Sequence, residues 1–132
     1  MNPVVHFEMP YDNHERMEKF YKEVFGWQMK KLGDDMGNYV LATTANADVK
    51  PDLPRGAING GFYPRKPDWP DQYPSVVIAV DNIKEAMKKV EKAGGNILGE
   101  PVEIPGIGLC VSFTDTEGNR VSMLQPNPLD GE

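Results

Sequence analysis

The sequence predicts a mixed α+β fold made of two modules with the same order: strand, helix, strand, strand, strand. Two observations support this prediction. The apolar run from Val4 to Met9 leads into Asp12-Asn13, and 69 positions later a run from Ser75 to Val80 leads into Asp81-Asn82. After each run, apolar residues recur with helical spacing and three more strand patterns follow. The sequence therefore predicts one structural unit that occurs twice.

The length of the chain limits the number of domains. With 132 residues it is long enough for one hydrophobic core and too short for two independent ones. We predict a single domain over 1–132, with module 1 at about 1–64, a proline-rich linker at about 64–74 and module 2 at about 74–126. The linker contains four prolines, which exclude a helix or a central strand there.

Module 1 begins with a strand from Val4 to Met9, and either Asp12 or Asn13 can cap the following helix. The helix carries an apolar stripe and ends at Gly26; the stripe consists of Met17, Phe20, Tyr21, Val24 and Phe25. Three strands are predicted next, with a polar loop from Ala45 to Pro54 before the last; they are Trp27 to Lys31, Gly37 to Thr44 and Gly56 to Tyr63. Gly60-Gly61 leaves space for a ligand or another backbone.

Module 2 repeats this order. Its first strand runs from Ser75 to Val80, Asn82 caps the helix and Gly94-Gly95 ends it. The apolar stripe of this helix consists of Ile83, Ala86, Met87, Val90 and Ala93. Three strands follow, at Asn96 to Ile104, Gly108 to Asp115 and Asn119 to Gln125, and a turn over Asp115 to Asn119 joins the last two.

Composition excludes several classes of function. A net charge of −6 argues against a nucleic-acid partner, which needs clustered Lys and Arg. No apolar run approaches the ~20 residues that span a bilayer, and the N-terminus lacks the pattern of a signal peptide, so we expect a cytoplasmic protein with no membrane partner. Cys110 is the sole cysteine, which excludes an intramolecular disulfide and thiolate-rich zinc sites; we expect a buried structural thiol.

The sequence resembles those of the vicinal oxygen chelate superfamily, which includes glyoxalase I, extradiol dioxygenases and bleomycin-resistance proteins. The resemblance rests on His6 in the first strand, Phe25-Gly26-Trp27 after the first helix, Val80-Asp81 before the second helix and the run from Phe113 to Arg120. It implies two βαβββ modules that curve into a cup-like incomplete barrel of about eight strands, with both helices outside. It also implies that a ligand or metal lies inside and that the chain forms a homodimer.

The resemblance also supplies a test for a metal site. Members that bind a metal take one ligand from the first and one from the last strand of each module, in the order His or Gln, Glu, His, Glu. In this chain those positions fall on His6, near Asn59-Gly60, on Ser75 and on Ser122. One imidazole and two neutral hydroxyls are poor ligands for a divalent ion. We therefore predict no metal site and no cofactor.

The same strands provide candidates for a ligand pocket. Alternation along a strand places His6 and Glu8 on one face, about 7 Å apart at ~3.3 Å per residue. It likewise pairs Ser75 with Val77 on the fifth strand and Ser122 with Leu124 on the eighth, and the resemblance implies that these faces look into the cup. The predicted pocket residues are His6, Glu8, Asn59, Ser75, Val77, Ser122 and Leu124.

His6 and Glu8 are the candidate catalytic residues, and two interpretations of His6 remain open. In one, His6 is a general base or hydrogen-bond donor whose charge Glu8 tunes. In the other, it bonds Ser75 or Ser122 and only fixes the packing. The large aromatic residues either line a ligand cleft or pack in the core and at an interface; they are Trp27, Tyr39, Phe62 and Trp69.

Three functions compete at this point. The first is a metal-free module that binds a small, partly apolar molecule, similar to the resistance-protein branch of the superfamily. The second is a metal-dependent lyase, isomerase or dioxygenase that holds a divalent metal through an unforeseen register of Asn59, Gln125 or Glu8. In the third, the partner is another protein chain, and the proline-rich linker with Trp69 forms the interface.

Overall fold

A computed structural model of the protein describes residues 1–45, 57–69 and 71–127. In chain order its strands and helices are β1 (Val4–Tyr11), α1 (His14–Phe25), β2 (Gln28–Lys31), β3 (Val40–Thr43), β4 (Gly60–Pro64), β5 (Ser75–Ala79), α2 (Ile83–Lys92), β6 (Asn96–Ile104), β7 (Gly108–Thr114) and β8 (Arg120–Pro126). A short 3-10 helix, Asp34–Met36, lies between β2 and β3. The predicted loop after Ala45, to Pro54, and the predicted start of a strand at Gly56 lie outside the described residues.

The predicted fold class is confirmed. The chain divides into two compact units, residues 6–74 and residues 1–5 together with 75–132. Strand order is β2-β3-β4-β1 in the first unit and β6-β7-β8-β5 in the second, so both units have the same topology. In each unit the first strand is parallel to the last, and the other neighbours are antiparallel. β2 is an edge strand in the first unit, and β6 is an edge strand in the second.

In the first unit, α1 covers one face of the four strands. Asn13 caps the helix, with its Oδ1 accepting a hydrogen bond from the Arg16 amide at 3.0 Å, and Gly26 ends it in the left-handed conformation at φ 71°. Tyr11, Val40, Ala42 and Phe62 are buried in this core, and the side chains packed against them are Phe7, Met9, Met17, Tyr21, Trp27 and Met29.

The apolar stripe of α1 is wider than the surface it covers. Met17 and Tyr21 pack against the core as predicted, but Phe20, Val24 and Phe25 are 53%, 56% and 61% exposed. Helical periodicity predicts which residues share a face and does not say how much of that face meets the sheet.

In the second unit, α2 packs in the same way. Asn82 caps this helix through the Glu85 amide at 3.1 Å, as its spacing predicts. The buried residues are Val80, Ile83, Val111 and Met123, and Ile78, Ala86, Met87, Val90, Ile97, Leu109 and Phe113 pack around them. Because Ile78 and Val80 face α2, strand alternation places Val77 and Ser75 on the opposite face.

In the described part of the proline-rich segment, residues 65–69 and 71–74 are neither helix nor strand, as predicted, and they lie around a buried glutamine. Gln72 is 9% exposed; its side chain accepts from the Lys66 amide at 2.6 Å and donates to the Trp69 carbonyl at 3.0 Å. Arg65 adds an ion pair with Asp12 at 3.0 Å. These described residues therefore form a hydrogen-bonded loop of the first unit.

Strand β4 begins at Gly60, four residues after the predicted start. Asn59 explains part of the difference, because its Oδ1 accepts from the amides of Thr44 at 2.8 Å and Ala45 at 3.0 Å. These bonds join β3 to the segment before β4 without a strand ladder. The register that the sequence leaves open is now defined, with Gly61 opposite Glu8 in the parallel pair β1–β4.

Candidate functional site

His6 and Glu8 lie on the face of β1 opposite α1. Phe7, Met9 and Tyr11 alternate with them and enter the core beneath the helix, so the two polar side chains are directed away from it. Both are half-buried. The shared face that the sequence predicts for His6 and Glu8 is thus present.

Tyr39 connects these two side chains. Its hydroxyl lies 3.0 Å from Nε2 of His6 and donates a hydrogen bond to Oε2 of Glu8 at 3.0 Å. The rings of His6 and Tyr39 are close to parallel, with 18° between their planes and centroids 6.5 Å apart. Sequence reasoning considered Tyr39 only as a packing or cleft aromatic. The structure makes it the middle member of a His6–Tyr39–Glu8 chain.

Tyr39 reaches this position because Gly61 has no side chain. A Cβ atom at Gly61 would collide with the ring and hydroxyl of Tyr39, and a Cβ at Gly60 would collide with the ring of Phe7. Leu41 on β3 and Glu8 on β1 both pair with Gly61, so Glu8 lies directly beside the glycine whose missing side chain makes room for Tyr39. The space predicted at Gly60-Gly61 is therefore filled by the protein's own side chains.

Burial affects the charge of His6. Removal from water disfavours the imidazolium and lowers the pKa of His6 below its ordinary value of 6.5. His6 is accordingly neutral near pH 7, and one of its ring nitrogens carries a proton while the other is an acceptor. The partner of Nε2 of His6 is Tyr39, which neither interpretation from the sequence named.

Four other predicted pocket residues lie on β5 and β8 of the second unit. Val77 pairs with Ser122, and these residues are 3% and 4% exposed. The hydroxyl of Ser122 is 2.9 Å from that of Ser112 on β7. Leu124 is half-buried and pairs with Ala79, and Ser75 is half-buried at the start of β5. Cys110 lies on β7 opposite Leu124. It is half-buried, whereas the sequence predicts a buried thiol.

The residues present do not fit the divalent metal that the superfamily implies. In residues 1–45, 57–69 and 71–127, no three His, Cys, Asp or Glu side chains are grouped so that they could hold an ion. The implied and alternative ligand atoms serve other bonds. Nε2 of His6 faces Tyr39, Oδ1 of Asn59 accepts two amides, and Oε1 of Gln125 accepts from the Ile83 amide at 2.9 Å.

Sequence comparison identifies the family. Residues 4–123 match the model of the Glyoxalase/Bleomycin resistance protein/Dioxygenase superfamily. The chain belongs to this superfamily. A "Glyoxylase-like domain-containing protein" of Didymella fabae is 30% identical over 115 residues, which cover 85% of this chain and 84% of that protein.

A second relative of this superfamily member is longer. It is the protein named "Putative glyoxylase CFP32" in Mycobacterium bovis, 29% identical over 110 residues. The match covers 83% of this chain and 38% of the relative, so the chain spans well under half the length of that protein. Sequence similarity therefore extends to one part of the longer relative.

Solved structures support the fold of this glyoxalase-superfamily chain. Methylmalonyl-CoA epimerase from Mycobacterium tuberculosis superposes with a TM-score of 0.67 at 13% identity, over 95% of this chain and 88% of the epimerase. At this identity the likeness concerns the fold alone. Among residues 1–45, 57–69 and 71–127, no helix has the length and apolar character needed to cross a membrane.

Proposed function

We propose that this superfamily member is a metal-free protein that binds a small molecule on the His6–Tyr39–Glu8 face of the first unit. One observation supports this most directly: the imidazole nitrogen of His6 that meets Tyr39 belongs to a hydrogen-bond chain and not to a set of acidic metal ligands. A few polar atoms that converge beside apolar side chains are one of the features that small-molecule sites share.

The proposal is binding and not metal-assisted turnover. The names glyoxylase and epimerase describe the related proteins, and one fold serves many reactions. The described donor atoms here supply one imidazole where a divalent ion needs several anionic or imidazole ligands. Roles for Asn59, Ser75, Val77, Ser122 and Leu124 in the pocket, a cytoplasmic location and a homodimer remain predictions.

Elemental analysis combined with thermal denaturation tests this proposal. We expect protein purified without chelator to hold far less than one equivalent of divalent metal, and a panel of small molecules to include some that raise Tm by binding the native state. His6→Ala should abolish the rise in Tm caused by such a molecule. His14→Ala is the matched control, because His14 lies on α1 and bonds Glu18 at 3.1 Å.

Binding of a divalent metal through His6 is the result that would argue against this proposal. A stoichiometric divalent metal that His6→Ala removes and His14→Ala retains would contradict the proposal. It would favour the metal-dependent lyase, isomerase or dioxygenase.

A further inference from the structure

We infer that Tyr39 and Glu8 fix His6 so that its Nδ1 atom accepts a hydrogen bond from the ligand. The site would then take molecules that present an O–H or N–H donor, such as a phenol, and discriminate against molecules that present only acceptor atoms, such as a carboxylate. This inference rests on the proposed function, since it names the ligand class of the same site.

The direction of the hydrogen bonds follows from the number of protons. A tyrosine hydroxyl has one proton and two lone pairs. Tyr39 gives its proton to the carboxylate of Glu8, which leaves only lone pairs for His6. The contact of 3.0 Å between Tyr39 and Nε2 of His6 is a hydrogen bond only if Nε2 carries the imidazole proton. The chain thus runs from His6 through Tyr39 to Glu8.

This direction determines what the opposite nitrogen offers. In a neutral imidazole with its proton on Nε2, Nδ1 has a lone pair and no hydrogen. Nδ1 of His6 has no hydrogen-bond partner among the described residues. In that part of the chain, every fully buried side-chain nitrogen or oxygen does have such a partner. Nδ1 is therefore not fully buried, and we infer that a ligand reaches it.

An accessible lone pair selects its partner. A ligand O–H or N–H forms a hydrogen bond with Nδ1, whereas a carboxylate or ether oxygen would bring a second lone pair against it. Leaving a polar atom without its hydrogen bond in a site of this kind disfavours the ligand that lacks the donor.

Nuclear magnetic resonance of the imidazole nitrogens tests the inference with three probes: phenol, benzoate and anisole. These share a benzene ring, and only phenol carries an O–H donor at neutral pH. We expect the apo protein to show His6 with its proton on Nε2, and phenol to shift the Nδ1 signal of His6 while benzoate and anisole leave it unchanged. The signals of His14 provide an internal reference.

Tyr39→Phe separates the positioning role of Tyr39 from packing. The phenylalanine keeps the ring beside Gly61 and removes the hydroxyl, so we expect a mixture of His6 tautomers. An equal mixture would weaken phenol binding by about twofold, because only half of the protein would then have an acceptor at Nδ1. Tyr63→Phe is the matched control, since it removes a neighbouring hydroxyl on β4 and should change neither quantity.

Several results would overturn the inference: a proton on Nδ1 in the wild type, no response of His6 to phenol, equal responses to all three probes, or a Tyr39→Phe variant that behaves like Tyr63→Phe. Its failure can be distinguished from failure of the proposed function. A bound stoichiometric metal contradicts both, whereas a metal-free protein that binds small molecules with the other tautomer contradicts only the inference.

Discussion

Gly61 controls the position of Tyr39, and through it the orientation of His6. The ring of Tyr39 occupies the volume that a Cβ atom would need, and the ring of Phe7 does the same at Gly60 on the other face of β4. Two adjacent glycines thus make room for two rings on opposite faces of one strand. One ring belongs to the core, and the other belongs to the hydrogen-bond chain.

Gly61→Ala and Gly60→Ala should have equal effects on stability and different effects on the site. Each inserts a methyl group against a packed ring, so we expect the free energy of unfolding to fall by about 1–3 kcal/mol in both, measured by urea denaturation. Only Gly61→Ala should change the tautomer of His6, because it displaces Tyr39. An unchanged tautomer in Gly61→Ala would show that Gly61 does not position Tyr39.

The site shows what sequence can predict at the level of residues. Alternation along one strand is local, and it correctly places His6 and Glu8 on one face. Tyr39 is 33 positions from His6 and 31 from Glu8, so the contact depends on strand order and on the register of β4. Neither follows from periodicity. The signal that was present is the Gly60-Gly61 pair, which predicted space without saying what fills it.

At the level of elements, the turn between β7 and β8 depends on one carboxylate. Asp115 accepts hydrogen bonds from the amides of Glu117 at 2.8 Å and Asn119 at 2.9 Å, and from the side-chain nitrogen of Asn119 at 3.0 Å. The bonds from Asn119 and Glu117 lower the pKa of Asp115 below its ordinary value of 3.8. The predicted turn over Asp115 to Asn119 is thus present and is held together by its first residue.

The contribution of Asp115 to stability should depend on pH in one direction. Because its pKa is lower in the folded state than in the unfolded state, the stabilisation is complete above 3.8 and is lost as the pH falls from 3.8 through the folded value. Asp115→Asn should lower stability at neutral pH and remove that part of the acid dependence, measured by denaturant unfolding across this range. Glu117→Gln in the same turn should retain the dependence on Asp115. If Asp115→Asn keeps the acid profile of the wild type, another carboxylate is responsible.

Helix boundaries were easier to predict than strand boundaries. Asn13, Asn82 and Gly26 act within one helical turn, and each is found in its predicted role. The start of β4 depends on Asn59, whose partners Thr44 and Ala45 precede it by 15 and 14 positions. A strand ends where its neighbour ceases to pair, and that neighbour is remote in sequence.

At the level of the whole molecule, the two modules act as internal controls for each other. With the offset of 69 residues, exposed Phe20 on α1 corresponds to exposed Lys89 on α2. The same helix in the same topology therefore folds with a charged residue at this position. The exposed apolar side chains of α1 are not required by the fold, and they are one candidate surface for the homodimer that the superfamily resemblance predicts.

Phe20→Lys tests this assignment. We expect the wild type to form a homodimer in sedimentation experiments, and Phe20→Lys to weaken it with a change in stability of about 0.5 kcal/mol or less, as for most surface substitutions. Trp69→Ala is the control for the other candidate interface and should leave the dimer intact. If Trp69→Ala separates the dimer and Phe20→Lys does not, the proline-rich segment is the interface.

The close packing of Tyr39 against Gly61 also constrains the sequences of related proteins. A side chain at position 61 is incompatible with the present position of the Tyr39 ring, so this hydrogen-bond chain requires glycine there. Relatives that share this hydrogen-bond chain should therefore be identifiable from sequence by the joint occurrence of tyrosine and glycine at these positions. A relative with a larger residue in place of Gly61 would hold its histidine by other means.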